Sequence, residues 1–239
     1  KLAIKFLLPH TEGNESFVRQ FIDEFRANQF LKHQNIVEAI EAPGLLGVEW
    51  HPESDETAAL VYSRFVALAR KHGATFAVKP VNPGDAFPAS GGLPLSKRAP
   101  QRQAYRLVEL ARWSEFLGVP LNVQPKFFPA NGDLAACWIL AAAELGTEQA
   151  LALTGAVGRA LWAQERDIAD AATLAAIAGE CGLDAAKLAA RAASPDMSAR
   201  YAALTQEAIA RGVFGAPTYV VGDELFWGQD RLDFLARKL

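Results

Sequence analysis

The sequence predicts an α/β fold in which a block of helices is inserted into a single sheet. Three observations predict it: a strand, helix, strand pattern over residues 45–81, a long helical region over about 101–210, and two strands with a short helix over 218–239. A compact βαβ unit opens many α/β folds. A helical block between the two strand-containing halves indicates an insertion, because the halves can then meet in one central sheet.

The βαβ unit begins with the apolar run from Leu45 to Trp50, which predicts a strand. The helix that follows has Ser54 or Asp55 as its cap and repeats apolar residues along one face. It ends near Gly73, because Gly suits the left-handed position after a helix. Residues 74–81 predict the second strand through their alternating apolar side chains.

Residues 82–100 are rich in Gly and Pro and predict a loop. In the helical region beyond it, Pro and Gly residues predict breaks near 118–120, 128–129 and 194–195. The β-branched run from Thr218 to Val221, a Gly-Asp turn and the run from Glu224 to Trp227 predict a hairpin. A short helix over 232–239 ends the predicted fold.

Residues 1–44 form an N-terminal extension whose role the sequence leaves open. Residues 2–8 predict a strand, and apolar residues recur at helical spacing between Phe17 and Phe25. In an alternative register, residues 2–8 are the first strand of the fold, and Thr11 or Ser16 then lies near the active centre.

Composition excludes several classes of protein. The net charge of −3 provides no concentrated basic surface for nucleic acid, and the densest basic patch is only Lys97, Arg98 and Arg102. No apolar run reaches the roughly 18 residues of a membrane span. The four histidines lack the spacing of metal ligands. We therefore expect no nucleic-acid partner, no membrane and no metal.

The two cysteines, Cys137 and Cys181, have no cysteine partner three residues away. They are too far apart to indicate a disulfide framework. We interpret both as small core residues on Ala-rich helices, and we expect the reducing cytoplasm as the compartment.

Four separated stretches resemble one known family. Residues 212–220 and 226–232 resemble the C-terminal signature of DsbA-like proteins, and more narrowly that of 2-hydroxychromene-2-carboxylate isomerases and kappa-class glutathione transferases. Residues 90–105 and 161–168 agree with the same proteins, so that the resemblance covers about 63–239.

The resemblance implies a thioredoxin-like fold with a large helical insertion domain. Residues 45–100 and 211–239 then form the thioredoxin-like domain, and residues 101–210 form the insertion. Since the chain has no CxxC pair, disulfide exchange is excluded at the site where such proteins perform it.

In these relatives a serine caps the first helix and contacts the glutathione sulfur, and Ser54 corresponds to that serine. A helix N-terminus stabilises a thiolate. Asp55 and Glu56 replace the Pro and the aromatic residue of the family motif; they favour the helix but repel a thiolate and raise its pKa. Ser54 acting only as a helix cap remains the alternative.

The resemblance also implies where the glutathione peptide binds. Ala216, before a cis bond to Pro217, exposes its backbone to an extended peptide in thioredoxin-like folds. A trans proline that starts an ordinary strand is the alternative.

Four other residues correspond to ligand contacts of the relatives. Asp230, beside Gln229, corresponds to the residue that holds the γ-glutamyl ammonium, or it serves as a helix cap. Arg102 resembles a basic residue that reaches the glycyl carboxylate, and Asn131 matches a polar position of the site.

The resemblance implies a glutathione-dependent cis-trans isomerase acting on an intermediate of aromatic degradation. A kappa-type glutathione transferase acting on electrophiles is the second possibility, because the two share the thiol site. A non-catalytic thioredoxin-like binding module is the third. The relatives form dimers, so the resemblance also implies a homodimer.

Overall fold

The computed structural model describes residues 45–50 and 65–239, apart from Ala216, Gln229 and Asp230. The strand expected over 2–8, the helical pattern between Phe17 and Phe25, and the turn and cap over 51–57 lie outside the described residues.

The described residues form four strands and a series of helices. The strands are β1 (Leu45–Trp50), β2 (Val78–Pro80), β3 (Thr218–Val221) and β4 (Glu224–Trp227). Helix α1 is described over 65–71, and the helices after it are α2 (Pro83–Ala89), α3 (Pro100–Leu117), α4 (Asp133–Ala143), α5 (Thr147–Trp162), α6 (Ala171–Glu180), α7 (Ala185–Ala192), α8 (Pro195–Ala210) and α9 (Leu232–Lys238). Within this part of the chain, no helix is both long and apolar enough to cross a bilayer.

The strands form one mixed sheet in the order β2-β1-β3-β4. β1 and β2 are parallel, whereas β3 runs antiparallel to both β1 and β4. The strands before the helical block therefore pair directly with the strands after it, which confirms the predicted insertion into a single sheet.

One face of the sheet packs against α1 and α9. Phe65 of α1 stacks on Tyr219 of β3 with ring centroids 5.5 Å apart, and Phe76 meets Phe65 edge-on at 5.6 Å. Phe226, opposite Tyr219 in the hairpin, and Leu235 of α9 complete this cluster. The i, i+2 alternation of the strands decides which side chains reach it.

The other face supports the larger core, which lies in the helical block. Residues 135–142 of α4 are all buried, and a helix that is apolar all round belongs in a core. α4 packs against α5, α7 and α8 and also touches β2. Val78 and Val81 join this core from the β2 side, so that the sheet and the helices share it.

Strand β2 is shorter than predicted. We expected residues 74–81, but only Val78–Pro80 pair with β1. The carbonyl of Phe76 instead accepts a hydrogen bond from Thr147 Oγ1 at 3.3 Å. The segment before β2 is thus tied to the start of α5.

The prediction of an uninterrupted loop over 82–100 is wrong. Asn82 Oδ1 accepts a hydrogen bond from Gly84 N at 2.8 Å and caps α2, which begins with Pro83. Asn at the cap followed by Pro at the first helical position is a strong start for a helix. A 3-10 turn, Leu95–Lys97, follows.

The predicted breaks in the helical region are confirmed. Helix α3 ends before Gly118, which has a φ of 66°, and α8 begins at Pro195. Asp170 and Asp184 cap α6 and α7 by accepting hydrogen bonds from backbone N–H groups three residues ahead, at 2.7 and 3.1 Å. These two caps separate helices that the sequence analysis left undivided.

Candidate functional site

Four strand ends meet at one edge of the sheet. Trp50 and Pro80 end the parallel strands β1 and β2 and lie opposite each other. Thr218 starts β3 opposite Trp227, which ends β4. The antiparallel register of β1 with β3 turns Thr218 toward the Trp50 end. Ligands of open α/β sheets bind beyond the carboxyl ends of the parallel strands. We therefore take this row of strand ends, called the candidate edge below, as the candidate site.

The segment before β3 is fixed by two hydrogen bonds. Thr218 Oγ1, fully buried, donates to the carbonyl of Gly215 at 2.6 Å, and Gly228 N donates to the carbonyl of Pro217 at 2.8 Å. Pro217 therefore lies at the candidate edge, as its proposed role requires. Ala216 lies outside the described residues, and so does the expected cis bond to Pro217; the described cis bond is Phe128-Pro129.

An aromatic pair lies beside this segment. Phe214 meets the indole of Trp227 at a centroid distance of 4.8 Å and is itself 44% exposed. The same indole packs against Gly215, where an added Cβ would come within 2.8 Å of Cε2. Sequence analysis assigned no role to Phe214 or Trp227. Their position in two matching motifs is the only feature of the sequence that links them.

A polar group lies where β2 ends. Asn131 Oδ1 accepts a hydrogen bond from Asp133 N at 2.9 Å, and Asn82 Nδ2 donates to Asp133 Oδ1 at 3.4 Å. The backbone N–H of Asn82 donates to the buried Thr205 Oγ1 at 2.9 Å. Asn131 thus lies near the candidate edge, and Asn82 is a neighbour that the sequence analysis missed.

The polar group after β2 and the segment before β3 lie two strand spacings apart across the sheet. Asn82 follows β2 and Pro217 precedes β3, and β1 lies between those strands. Neighbouring strands are about 4.8 Å apart, so the separation across the sheet is about 10 Å.

Arg102 lies elsewhere in the chain, in the first turn of α3. It is exposed, and its backbone N–H donates to the carbonyl of Ala99 at 2.9 Å. Burial, and then the charge of Arg102, lower the pKa of Arg98, whose Nε donates to the carbonyl of Leu93. The described contacts therefore join Arg102 to the basic start of α3 and not to Asn131 or Pro217.

Ser54, Gln229 and Asp230 lie outside the described residues, together with Asp55 and Glu56. Gly228 and Arg231, which flank Gln229 and Asp230, are described, and the described part of the chain before Ser54 ends with β1 at Trp50. The roles of Ser54, Gln229 and Asp230 therefore stay predictions. The described geometry shows only where the candidate edge of the sheet lies.

Residues 58–239 match the family model of the DSBA-like thioredoxin domain. The chain belongs to this family. Within it, the 2-hydroxychromene-2-carboxylate isomerase of Sphingobium xenophagum is 32% identical over 169 residues, which covers 70% of this chain and 84% of the relative. The enzyme of the same name from Pseudomonas putida is 32% identical over 178 residues, covering 74% and 85%. The chain is thus a member of the 2-hydroxychromene-2-carboxylate isomerase family.

Solved structures agree with this membership. A 2-hydroxychromene-2-carboxylate isomerase superposes with a TM-score of 0.68 at 26% identity and covers 80% of this chain and 91% of that one. A putative protein disulfide isomerase from Nitrosomonas europaea superposes with a TM-score of 0.59 at 16% identity, covering 84% and 98%. The second likeness is one of fold alone.

The thiols of this DsbA-like family member do not form a CxxC pair. The chain has two cysteines, and both belong to the helical block. Cys137 is buried in α4 as expected, and burial raises the pKa of its thiol. Cys181 is only half-buried, its Sγ lies 3.7 Å from the carbonyl of Ala152, and burial raises its pKa too. The two cysteines are far apart in the sequence, so the candidate edge has no CxxC pair for disulfide exchange.

Proposed function

We propose that this chain is a glutathione-dependent cis-trans isomerase of the 2-hydroxychromene-2-carboxylate type, acting on an aromatic-degradation intermediate. The observation on which this rests is the sheet edge, where Pro217 and the Asn82–Asn131 group flank the end of β1. The names of the relatives support the reaction class. The lack of a CxxC pair in the chain favours a borrowed thiol.

The described residues fit glutathione in size and polarity. The separation across the edge is about 10 Å, and three extended residues span about 10 Å. Asn131 provides an exposed amide on one side, and Pro217 provides a fixed backbone on the other.

In this proposal each part of the peptide has its own residues. Backbone groups of Ala216, positioned by Pro217, bind the cysteinyl part, while Gln229 and Asp230 bind the γ-glutamyl ammonium. In the same proposal Arg102, an exposed cation at the start of α3, pairs with the glycyl carboxylate.

When bound, glutathione supplies a nucleophilic thiolate that can add to an unsaturated carbon and leave again. Ser54 donates a hydrogen bond to the sulfur anion, which is electrostatic stabilisation of the kind that dominates many enzymes. Asp55 and Glu56 oppose it by raising the thiol pKa. The substrate and product are isomers, so no oxidant or reductant is consumed.

A calorimetric titration with reduced glutathione tests the binding step. We expect saturable binding to the wild type and a Kd at least tenfold higher for Asp230→Ala, which is about 1.4 kcal/mol. Asp233→Ala is the matched control, since Asp233 is an exposed carboxylate in the first turn of α9. No binding at millimolar glutathione would overturn both enzyme proposals and leave a thioredoxin-like binding module.

An absorbance assay with 2-hydroxychromene-2-carboxylate tests the reaction. Turnover should require reduced glutathione, fail with S-methylglutathione and fall at least a hundredfold in Ser54→Ala. Ser96→Ala, at an exposed serine outside the edge, should retain the full rate. Glutathione binding without isomerisation, but with conjugation of 1-chloro-2,4-dinitrobenzene, would instead identify a kappa-type transferase.

A third comparison tests Arg102. Esterification of the glycyl carboxylate of glutathione removes the charge that Arg102 is proposed to bind. The wild type should prefer the free peptide to the ester, and Arg102→Ala should bind both equally. Lys97→Ala, a neighbouring exposed cation, should keep the preference; if Arg102→Ala keeps it too, the assignment of Arg102 is wrong.

A further inference from the structure

Phe214 is an exposed aromatic ring that lies between two fixed neighbours in the chain. Its side chain is 44% exposed, whereas Val213 is buried and belongs to the large core. The backbone N–H of Val213 donates to the carbonyl of Ala208 at 3.0 Å. On the other side, the carbonyl of Gly215 accepts the hydrogen bond from Thr218. The ring of Phe214 is therefore presented to solvent by a backbone that is held on both sides.

Trp227 lies on the face of the sheet that supports the helical block. Leu225, two residues earlier on β4, packs against the large core of that block. Side chains two residues apart on a strand point to the same face, and Phe226 between them belongs to the cluster on the other face. Since Trp227 also ends β4 opposite Thr218, its indole lies at the candidate edge on the side of the helical block.

Phe214 and Trp227 together form one aromatic surface, called the aromatic wall below. Their ring centroids are 4.8 Å apart and their planes meet at 61°. The indole in turn packs against Gly215, where an added Cβ would lie 2.8 Å from Cε2, so its own position is fixed. Aromatic rings pair in offset-stacked or edge-on arrangements. The exposed side of Phe214 can therefore accept a further ring, while Trp227 supports it from behind.

The aromatic wall is continuous with the candidate edge. Phe214 precedes Pro217 by three residues, so their Cα atoms are at most about 11 Å apart. Pro217 lies where the cysteinyl part of glutathione is proposed to bind. The residues of the wall and of the segment that joins it to Pro217 have no charged side chain. The wall is thus suited to the flat ring of a molecule whose reactive carbon faces the glutathione sulfur.

We propose that the aromatic wall binds the aromatic ring of the second substrate and selects planar aromatic molecules. The identity of that substrate rests on the proposed function, whereas the binding of a ring to the wall requires no glutathione. Phe214 contacts the ring and determines specificity, because an acyclic electrophile has no ring to stack on it. Trp227 is a positioning residue that acts through Phe214.

A calorimetric titration with 2-naphthoate, a planar bicyclic carboxylate that cannot be isomerised, tests ring binding without glutathione. The wild type should bind it saturably. Phe214→Leu keeps an apolar side chain but removes the ring, and it should raise the Kd about fivefold. Phe214→Tyr keeps the ring and should retain the wild-type Kd.

Phe116→Leu is the matched control. Phe116 is also an exposed phenylalanine that meets a tryptophan edge-on, with its ring centroid 5.7 Å from that of Trp113. It belongs to the last turn of α3 and not to the candidate edge. The Kd for 2-naphthoate should therefore not change in this variant.

Isomerisation kinetics separate a role in substrate binding from a structural role. With 2-hydroxychromene-2-carboxylate, Phe214→Leu should raise KM about fivefold and change kcat less, since the ring contact is made before the reaction as well as during it. The Kd for glutathione should stay at its wild-type value. A general disturbance of the fold would instead weaken the binding of both ligands, and Phe214→Tyr would not rescue it.

The outcomes distinguish this proposal from the proposed function. No binding of 2-naphthoate to the wild type, an equal Kd for the wild type and Phe214→Leu, or an equal loss in Phe116→Leu would overturn the aromatic wall, even in an active isomerase. Binding of 2-naphthoate that is lost in Phe214→Leu and kept in Phe214→Tyr, by a protein that does not bind glutathione, would support the wall and overturn the isomerase.

Discussion

The indole of Trp227 lies so close to Gly215 that no side chain fits between them. A Cβ added to Gly215 would lie 2.8 Å from Cε2 and nearer still to Nε1. Trp227 ends β4, and Gly215 begins the segment that leads to Pro217. The contact therefore links the outer strand to the candidate edge.

Gly215→Ala should destabilise the protein by about 1–3 kcal/mol, because the added methyl group overpacks this contact. Urea unfolding followed by circular dichroism measures the change. Gly179→Ala is the control: nothing lies within 4 Å of its Cβ position in α6, and Ala in a helix gains about 0.5–1 kcal/mol over Gly.

Coupling to Trp227 can be measured in a double-mutant cycle. Trp227→Leu makes room for the methyl group, so Gly215→Ala should cost less in that background than in the wild type. If Gly215→Ala destabilises the protein equally in both backgrounds, the indole of Trp227 is not the reason that position 215 needs glycine.

The ion pair between Glu144 and Arg191 links α4 to α7. It makes part of the free energy of unfolding dependent on pH. Arg191 donates to both oxygens of Glu144, each at 2.7 Å, and also to Asp196. Hydrogen bonds from Arg191 hold the pKa values of Glu144 and Asp196 below their usual range. A lowered folded-state pKa adds stability above the unfolded pKa, about 4, and that stability is lost as the pH falls through the folded pKa.

Glu144→Gln with Asp196→Asn should therefore reduce stability at pH 7 and flatten its decline in acid. Thermal unfolding between about pH 6 and pH 2 measures this, and the two curves should converge at the acid end. Both carboxylates are largely exposed, so the effect at pH 7 is small. The control is Glu115→Gln, which removes an exposed carboxylate on α3; its curve of stability against pH should run parallel to that of the wild type. A parallel curve for the double variant would contradict the prediction.

Asn82 should contribute about 1 kcal/mol through its cap on α2. Asn82→Ala removes the acceptor for Gly84 N and the contact with Asp133. Asn82→Ser keeps a capping oxygen and should recover most of the loss in urea unfolding. If Ser and Ala behave alike, the cap is not what Asn82 provides.

The two thiols should be slow to react and unnecessary for catalysis. Because burial raises both pKa values, little thiolate is present near pH 8. Ellman's reagent should label Cys181, the more exposed, before Cys137, and both far more slowly than in urea. The double Cys→Ala variant should keep its isomerisation rate within about twofold if the fold persists; a large loss of turnover in a folded variant would return a protein thiol to the mechanism.

The sequence alone sufficed for features that depend on local chemistry. The apolar runs at 45–50 and 218–227 predicted three of the strands, since side-chain period and turn residues are properties of neighbouring positions. Pro195 and Gly118 marked helix ends for the same reason. The family resemblance rested on motifs of this local kind, and it too was confirmed.

Tertiary structure alone decided the pairings between distant segments. The length of β2 depends on Thr147 binding Phe76, and the need for Gly215 depends on a strand twelve residues away. Asn82 meets Asp133 only because α4 packs behind β2. The exposure of Tyr105, Val108 and Phe116 on α3 likewise depends on which face of that helix Leu110 buries. Such contacts arise when the whole chain has packed, because each is a balance of burial and hydrogen bonding between segments that no local pattern brings together.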